Sequence, residues 1–344
     1  MKMRKVLSGL LALVCILILI FDSNTAMQGA REGVSLCIQT VIPSLFPFLF
    51  LAEQITVICM GRPIRVLRPL SRFMGIPEGT ESILVNAFLG GYPSGALCVA
   101  EYHKQGYYSD DSAARLLPLC NHAGPAFIFG LAAVMFSRKS SGWVLWLIQI
   151  ISAIVISAFF RPNTPSISVS IQSTNASDSG KLIKTLRAMA QICGWIILFR
   201  ILITYEEKWF LDQKDTPLRV IISGLTELTN GCCMLNLIDD EKLRLIICSG
   251  LLSAGGLCVL LQTRTVSAPV SFRHYFPAKL LQCGFAVVYA YIYTCDDILL
   301  TASAIAFTLM ILFFSKKHMV IRKKIMYNAF TISGGSVYAL SKKN

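Results

Sequence analysis

The fold is decided by an interruption in an apolar stretch, Phe88-Leu-Gly-Gly-Tyr-Pro-Ser-Gly-Ala96, where glycines and a proline break a segment that would otherwise form one helix. A second interruption, Thr226-Glu227-Leu228-Thr229-Asn230-Gly231, also has apolar sequence on both flanks. A helix broken within a bilayer leaves backbone N–H and C=O groups unpaired, at a cost of several kcal/mol each, unless protein, water or a ligand satisfies them. Segments 80–100 and 218–235 are therefore predicted to form re-entrant hairpins that face a solute.

The composition predicts a membrane protein. Of the 344 residues, 54% are hydrophobic and 15% are charged, whereas a soluble globular chain carries about 25% charged residues. The mean hydropathy is +0.61. A single soluble core stops growing at about 250–300 residues, so chain length does not explain the shortage of charge. These values exclude an ordinary soluble enzyme, a disordered protein and a fibrous repeat.

The net charge of +13 is concentrated at the C-terminus, because residues 315–344 contain seven Lys and Arg residues and no acid. A basic segment beside apolar spans is typical of the cytoplasmic side of a membrane protein, and we prefer this interpretation to nucleic-acid binding. With the N-terminus in the cytoplasm, the Arg-rich loop 62–72 and the linker 161–182 also fall inside, and the acid-rich loop 206–215 falls outside. Only Arg138-Lys139 falls on the wrong side.

Eight apolar segments have about the 20 residues that a helix needs to cross a bilayer. The first of them follows basic residues and is expected to be an uncleaved signal anchor. We therefore predict an all-α polytopic protein with eight spans, two hairpins and both termini in the cytoplasm. The predicted spans are 6–21, 33–60, 113–136, 143–160, 183–204, 242–263, 275–294 and 298–314.

The polar linker divides the chain into two halves with the same order of elements: an apolar helix, a broken hairpin, and a helix with a small-residue break. In the predicted topology the hairpins enter from opposite sides, so the halves are expected to be inverted repeats. Interrupted segments at matching places in two inverted halves indicate the central site of a transporter. The predicted domains are a signal anchor (1–30), a first repeat (31–160), the linker (161–182), a second repeat (183–314) and a basic cytoplasmic tail (315–344).

Polar residues on the broken segments are the candidates for substrate binding. Glu227 leads, because a carboxylate between apolar flanks is costly in a membrane unless it is paired or hydrated; an exposed acid on a shallow hairpin is the alternative. Asn121, with Gly124 and Pro125, marks a break that either contacts a ligand or kinks a helix whose Asn bonds a neighbour. The other candidates either bond a polar ligand or pack between helices: Thr229, Asn230, Ser94 and Ser253. Lys279 either snorkels to the interface, which we favour, or serves an anionic substrate.

No catalytic, cofactor or metal site is predicted. The twelve cysteines include no C-x-x-C pair and histidine is scarce, so neither a zinc site nor a disulfide framework is indicated. The motifs H-E-x-x-H, G-x-S-x-G and G-x-x-x-x-G-K-[ST] are absent, which argues against an enzyme. The expected partners are a small-molecule substrate and the lipid bilayer; a coupling proton or cation and a homo-oligomer stay open, and no nucleic acid is expected.

Five motifs, in this order along residues 30–285, carry a resemblance to a known family. They are Phe88 to Ala96, Arg115-Leu-Leu-Pro-Leu-Cys-Asn-His-Ala-Gly-Pro-Ala-Phe-Ile128, Ser223 to Gly231, Gly255-Gly-Leu-Cys-Val-Leu-Leu-Gln262 and Lys279-Leu-Leu-Gln282. With them the chain resembles the nucleoside-recognition (Gate) domain membrane proteins and, among these, the YlbJ type of sporulation integral membrane protein. The family's asparagine pair is Asn121-His122 in this chain.

The resemblance implies two Gate-type repeats, a helical fold similar to concentrative nucleoside transporters, and a role in endospore formation. In that role the YlbJ type is linked to the movement of dipicolinic acid across the outer forespore membrane. The leading hypothesis is therefore a transporter-like protein that moves a small polar or anionic metabolite. The alternatives are a nucleoside transporter, which the family name suggests, and a structural or assembly membrane protein of sporulation that transports nothing.

Overall fold

The computed structural model describes residues 2–162, 178–211 and 215–314, and within these ranges the chain is helical and contains no strand. The tail 315–344 and most of the linker 161–182, for which a cytoplasmic location is predicted, lie outside the described residues. The α-helices are α1 Lys2–Phe21, α2 Ser23–Leu36, α3 Ile42–Cys59, α4 Arg68–Met74, α5 Ser82–Val85, α6 Ser94–Lys104, α7 Asp110–Leu119, α8 Pro125–Phe127, α9 Ser141–Phe160, α10 Asp178–Glu206, α11 Thr216–Thr226, α12 Leu228–Cys233, α13 Glu241–Ala254, α14 Gly256–Val266, α15 Tyr275–Thr294 and α16 Ile298–Phe314.

Four helical segments are long and apolar enough to cross a membrane, judged by length and composition over the described residues. They are Ser23–Cys59, Ser141–Phe160, Leu182–Phe210 and Glu241–Val266. Large apolar side chains are exposed along α1, α9, α10 and α16, among them Val6, Leu147, Leu198 and Ile298, which suits surfaces that face lipid. The predicted all-α membrane fold is confirmed.

The remaining predicted spans are also helical in the described residues, with one interruption. Segments 6–21, 275–294 and 298–314 form α1, α15 and α16, whereas 113–136 is broken between α7 and α8. The break falls at Cys120–Gly124, where the sequence Asn121 to Pro125 predicts it. After α8 the chain continues through π-helical and 3-10 turns to Met135.

The longest helical segment joins α2 to α3 through a π-helical turn, Cys37–Val41, and packs antiparallel against α10. It begins at Ser23, ten residues before the predicted span and across the predicted domain boundary at residue 30. A Cβ atom added to Gly29 would lie 2.8 Å from the Ile201 Cα, and one added to Gly33 would lie 2.9 Å from the Ile197 Cα. These two glycines, spaced as G-x-x-x-G, let the α2 and α10 backbones approach closely.

Both predicted hairpins are present as pairs of short helices with a break between them. In the first hairpin, α5 continues as a π-helical turn to Gly90, and Gly91 to Pro93 connect it to α6, which packs back against it. In the second, α11 and α12 pack against each other and are separated by the extended residue Glu227. Glycine and proline in the first hairpin and a capping acid in the second explain why each helix ends there.

Candidate functional site

The tips of the two hairpins line one small cavity inside the helical body. In this conformation the cavity has room for about one water molecule. Besides the tips, it is bounded by the α2–α3 segment, by α10, by α8 after the α7–α8 break, and by α14, which follows a second break at Gly255 between α13 and α14. The lining residues are Val41, Leu45, Tyr92, Pro93, Phe127, Ile192, Ile196, Glu227, Leu228, Thr229, Val259 and Gln262.

The first hairpin reaches this cavity with Tyr92. Its side chain is buried, its ring packs at 5.8 Å on the ring of Phe127, and its hydroxyl has no hydrogen-bond partner among the described residues. Gly91 sets this position, because a Cβ atom there would lie 2.4 Å from the backbone nitrogen of Gly124. The break of the first hairpin therefore rests directly on the break between α7 and α8.

The second hairpin reaches the cavity with Glu227, whose carboxylate is buried and caps α12. Its Oε1 accepts a hydrogen bond from the Thr229 backbone N–H at 3.0 Å, and its Oε2 accepts one from the Asn230 backbone N–H at 2.8 Å. The Asn230 side-chain amide adds a third bond to Oε2 at 3.2 Å. The carboxylate thus satisfies N–H groups that the break frees, and it occupies the helix end at which an anionic ligand could bind.

Asn121 lies at the break of the first half but outside the cavity lining. Its amide nitrogen donates to the Thr263 hydroxyl at 2.8 Å and to the Tyr275 hydroxyl at 2.7 Å, which ties the break to α14 and α15. Gly124 supplies the contact with Gly91, and Pro125 is the first residue of α8.

Lys279 does not snorkel, so that expectation is wrong. Its side chain is only 5% exposed, and Nζ donates to the backbone carbonyl of Asn121 at 2.7 Å and to Oε1 of Gln282 at 2.9 Å. The ammonium is held inside the protein because a carbonyl freed by the helix break accepts its hydrogen bond.

Ser94 and Ser253 lie away from the cavity. Ser94 donates to Oδ1 of Asn86 at 3.0 Å in a second, more polar pocket between α3, the first hairpin and α10. Ser253 donates to Oε1 of Gln149 at 3.0 Å, between α13 and α9. Of the predicted binding residues, the cavity lining therefore contains Glu227 and Thr229. Asn230 is outside the lining and donates hydrogen bonds to the Glu227 carboxylate.

Two groups of ion pairs flank the cavity along the α2–α3 and α10 pair. On one side Lys184 lies 2.8 Å from Glu53 and 3.7 Å from Glu101 of the first hairpin. On the other side Arg200 pairs with Glu32. Glu207 extends this second group, because it lies 3.7 Å from Arg200 and 3.6 Å from Arg219 of the second hairpin. Along α10, Lys184 is about two helical turns from the lining residue Ile192 and Arg200 is about one turn from Ile196. Each group links the first half of the chain to the second.

Two residues that line the cavity could not be identified as site residues from the sequence. Tyr92 and Gln262 line the cavity within motifs that carry the family resemblance, but an isolated Tyr or Gln in an apolar stretch carries no charge signal. Lys279 stands out in the sequence as a charge in an apolar stretch, but the sequence predicts that it snorkels, and its contacts inside the protein do not follow from that signal. The signal for its position is the combination of a charged residue near the start of a span and a break elsewhere that frees carbonyl groups.

Comparison with known proteins gives a match to a sporulation protein. No protein-family model matches the chain. No solved structure matches it. The sporulation integral membrane protein YlbJ of Bacillus subtilis (strain 168) is 24% identical over 316 residues, a match that covers 77% of this chain and 77% of that protein. The chain is therefore similar over most of its length to the YlbJ type of sporulation integral membrane protein, as its motifs predict.

Proposed function

We propose that this protein is a carrier for a small polar metabolite and that the cavity between the two hairpins is its solute site. The observation that supports this proposal is that Tyr92 and Pro93 of the first hairpin and Glu227 and Thr229 of the second line the same cavity. Backbone interruptions persist inside membrane proteins where they border a cavity or are buried in protein. Two such interruptions that face each other suit a transporter better than a scaffold.

In this proposal the two halves are inverted repeats that cross the membrane several times, with both termini in the cytoplasm. The cavity lining supports the repeat, because it takes matching parts from each half: Val41 and Leu45 against Ile192 and Ile196, and one hairpin tip against the other. The packing of the breaks supports it as well. Gly91 rests on Gly124 in the first half, and a Cβ atom at Gly256 would lie 2.8 Å from the Gly224 carbonyl oxygen in the second.

The chemistry of the cavity restricts its solute. Among the described residues that line it, Glu227 is the only acidic or basic side chain, so an anion is expected to enter together with a proton or a cation that neutralises this carboxylate. The unpaired Tyr92 hydroxyl and the Gln262 amide offer hydrogen bonds to a polar group. A solute larger than water requires the hairpins to move apart, which is the motion expected of a carrier.

The solute that the family resemblance suggests is dipicolinic acid, carried across the outer forespore membrane with a coupling proton or cation. The name of the Bacillus subtilis relative supports a role in sporulation. A nucleoside is the second candidate, because the resemblance extends to nucleoside-recognition proteins and a nucleoside needs no accompanying charge at Glu227.

Uptake into proteoliposomes tests the proposal. The purified protein is expected to move labelled dipicolinate, with labelled uridine measured in parallel. Glu227→Gln is expected to lower uptake about tenfold or more, because it keeps an oxygen that can cap α12 but removes the charge. Asp239→Asn is the matched control, since this exposed acid lies outside the cavity, and it should leave uptake unchanged.

Complementation of a sporulating host that lacks the gene gives the corresponding cellular measurement. Dipicolinic acid content should fall with Glu227→Gln and stay normal with Asp239→Asn. Full content with Glu227→Gln at normal expression, together with no uptake of either solute by the unaltered protein, would contradict a carrier and favour a structural or assembly role.

A further inference from the structure

The break between α7 and α8 contains a buried lysine side chain that the proposed solute site does not use. Asn121, Lys279 and Gln282 are all buried, and the Lys279 ammonium donates to the Asn121 carbonyl and to the Gln282 side chain. None of these three residues lines the cavity between the hairpins. The Lys279 side chain therefore bonds the α7–α8 break and does not contact the proposed solute site.

The partners of this ammonium are neutral oxygen atoms. Among the described residues, no Asp or Glu oxygen lies within 4.0 Å of Nζ. A buried Lys normally pairs with a carboxylate, because removal of an unpaired charge from water is costly. An ammonium held by a backbone carbonyl and an amide oxygen instead is bound by the neutral oxygen donors that also bind hard cations.

The carbonyl that Lys279 contacts lies at a helix end. Asn121 follows the last residue of α7, Leu119, by two positions, and it lies outside the hydrogen-bonded helix. The carbonyl end of a helix carries partial negative charge, so a cation is favourable there. Gln282 is held in turn by a hydrogen bond from its amide to Ser152 of α9 at 3.5 Å, which orients its Oε1 toward the ammonium.

We propose that the α7–α8 break contains a site for a monovalent cation and that the Lys279 ammonium is its permanent occupant. The chain itself supplies the cation that such a break would otherwise take from solution. The ammonium positions the break, and the break supports Gly91 and the tip of the first hairpin through Gly124. The proposal is independent of the identity of the transported solute.

Chemical rescue tests the site directly. Lys279→Ala vacates it, and the apparent melting temperature in detergent, followed with a thiol-reactive dye, is expected to fall by several degrees. Methylammonium should restore at least half of that loss, because it fits the vacated space and offers N–H donors to both oxygens. Tetramethylammonium, which has no N–H, should restore none of it.

Lys279→Met is the matched control, because its apolar side chain fills the same space and leaves no room for methylammonium. We expect it to be as destabilised as Lys279→Ala and to gain nothing from the added amine. The unaltered protein should melt at the same temperature in sodium and in N-methylglucamine salts, since its cation site is already filled. Equal rescue of both variants, or no rescue of either, would overturn the proposal.

A second measurement holds even where Lys279→Ala does not fold. An amine-specific acetylating reagent, applied to the native protein and read by mass spectrometry, should leave Lys279 unmodified and modify Lys184, whose side chain is 39% exposed. After unfolding, both should react. Modification of Lys279 in the folded protein at the rate of Lys184 would show that its ammonium is not an enclosed ligand of the break.

Discussion

Gly91 and Gly124 bring two interrupted segments into backbone contact, and this contact decides where the Tyr92 ring lies. Gly91 has a φ of 71°, a conformation that costs a residue with a side chain about 1–2 kcal/mol. Its missing Cβ also leaves space for the backbone of Gly124. On the opposite side of the cavity, the Glu227 carboxylate caps the chain that follows, and Gly231 packs on the backbone of Gly224, whose Cα would lie 2.2 Å from a Cβ added at Gly231.

Gly91→Ala is expected to destabilise the protein more than Gly255→Ala does. Both glycines have positive φ, 71° and 78°, but ψ is −165° at Gly91, a conformation open almost only to glycine, and −13° at Gly255, in the left-handed helical region. A Cβ at Gly255 would meet only the Val259 side chain, at 3.2 Å, whereas one at Gly91 would overlap with the Gly124 backbone. The difference between the two losses in melting temperature therefore measures the backbone contact together with the stricter conformation of Gly91, and equal losses would show that neither contributes.

The pairing of α2 with α10 holds the two halves together at the level of helices. Gly29 and Gly33 face the α10 backbone, and Cys37 lies next to Cys193 farther along the same pair. Without a hydrophobic driving force between helices in lipid, such close packing is a main source of association. The ion pairs of Lys184 and Arg200 add contacts at both sides of the cavity.

Gly33→Leu is expected to separate α2 from α10 and to lower the melting temperature by the equivalent of about 1–3 kcal/mol, the usual cost of overpacking. Gly194→Leu is the matched control: it places the same side chain on α10, where a Cβ would meet nothing within 4 Å. Thermal unfolding in detergent should show the loss for Gly33→Leu alone. If the two variants melt together, the close approach of α2 and α10 is wrong.

The order of helices and both hairpin breaks could be predicted from the sequence, because glycine, proline and isolated polar residues are local signals. The start of α2 at Ser23 could not, since residues 23–32 are polar enough to resemble a loop and become helical by packing on α10. In the site, Glu227 was predictable because a charge between apolar flanks is costly. The roles of Tyr92 and Lys279 depend on contacts between residues distant in sequence, such as the 158 positions between Asn121 and Lys279.

At the scale of the whole molecule, the two halves meet around one cavity that ion pairs flank on both sides. Each group of ion pairs joins α10 to the first half and to one hairpin: Glu101 on the first, Arg219 on the second. A carrier must loosen one group while the other holds, and the weak, partly exposed character of these pairs suits such a change. The proposed transport cycle thus depends on the contact of the two hairpin tips around one cavity.

Chemical cross-linking tests whether the two hairpin tips lie next to each other around the cavity. Tyr92→Cys and Thr229→Cys are introduced together into a chain whose native cysteines have been replaced, and the short thiol cross-linker dibromobimane is added to the protein in membranes. The pair Tyr92→Cys and Phe127→Cys, whose parent rings are 5.8 Å apart within the first half, shows that the reagent reaches the cavity. If the tips meet at the cavity, both pairs should give fluorescent intramolecular cross-links. A cross-link in the Phe127 pair and none in the Thr229 pair would contradict this contact between the tips.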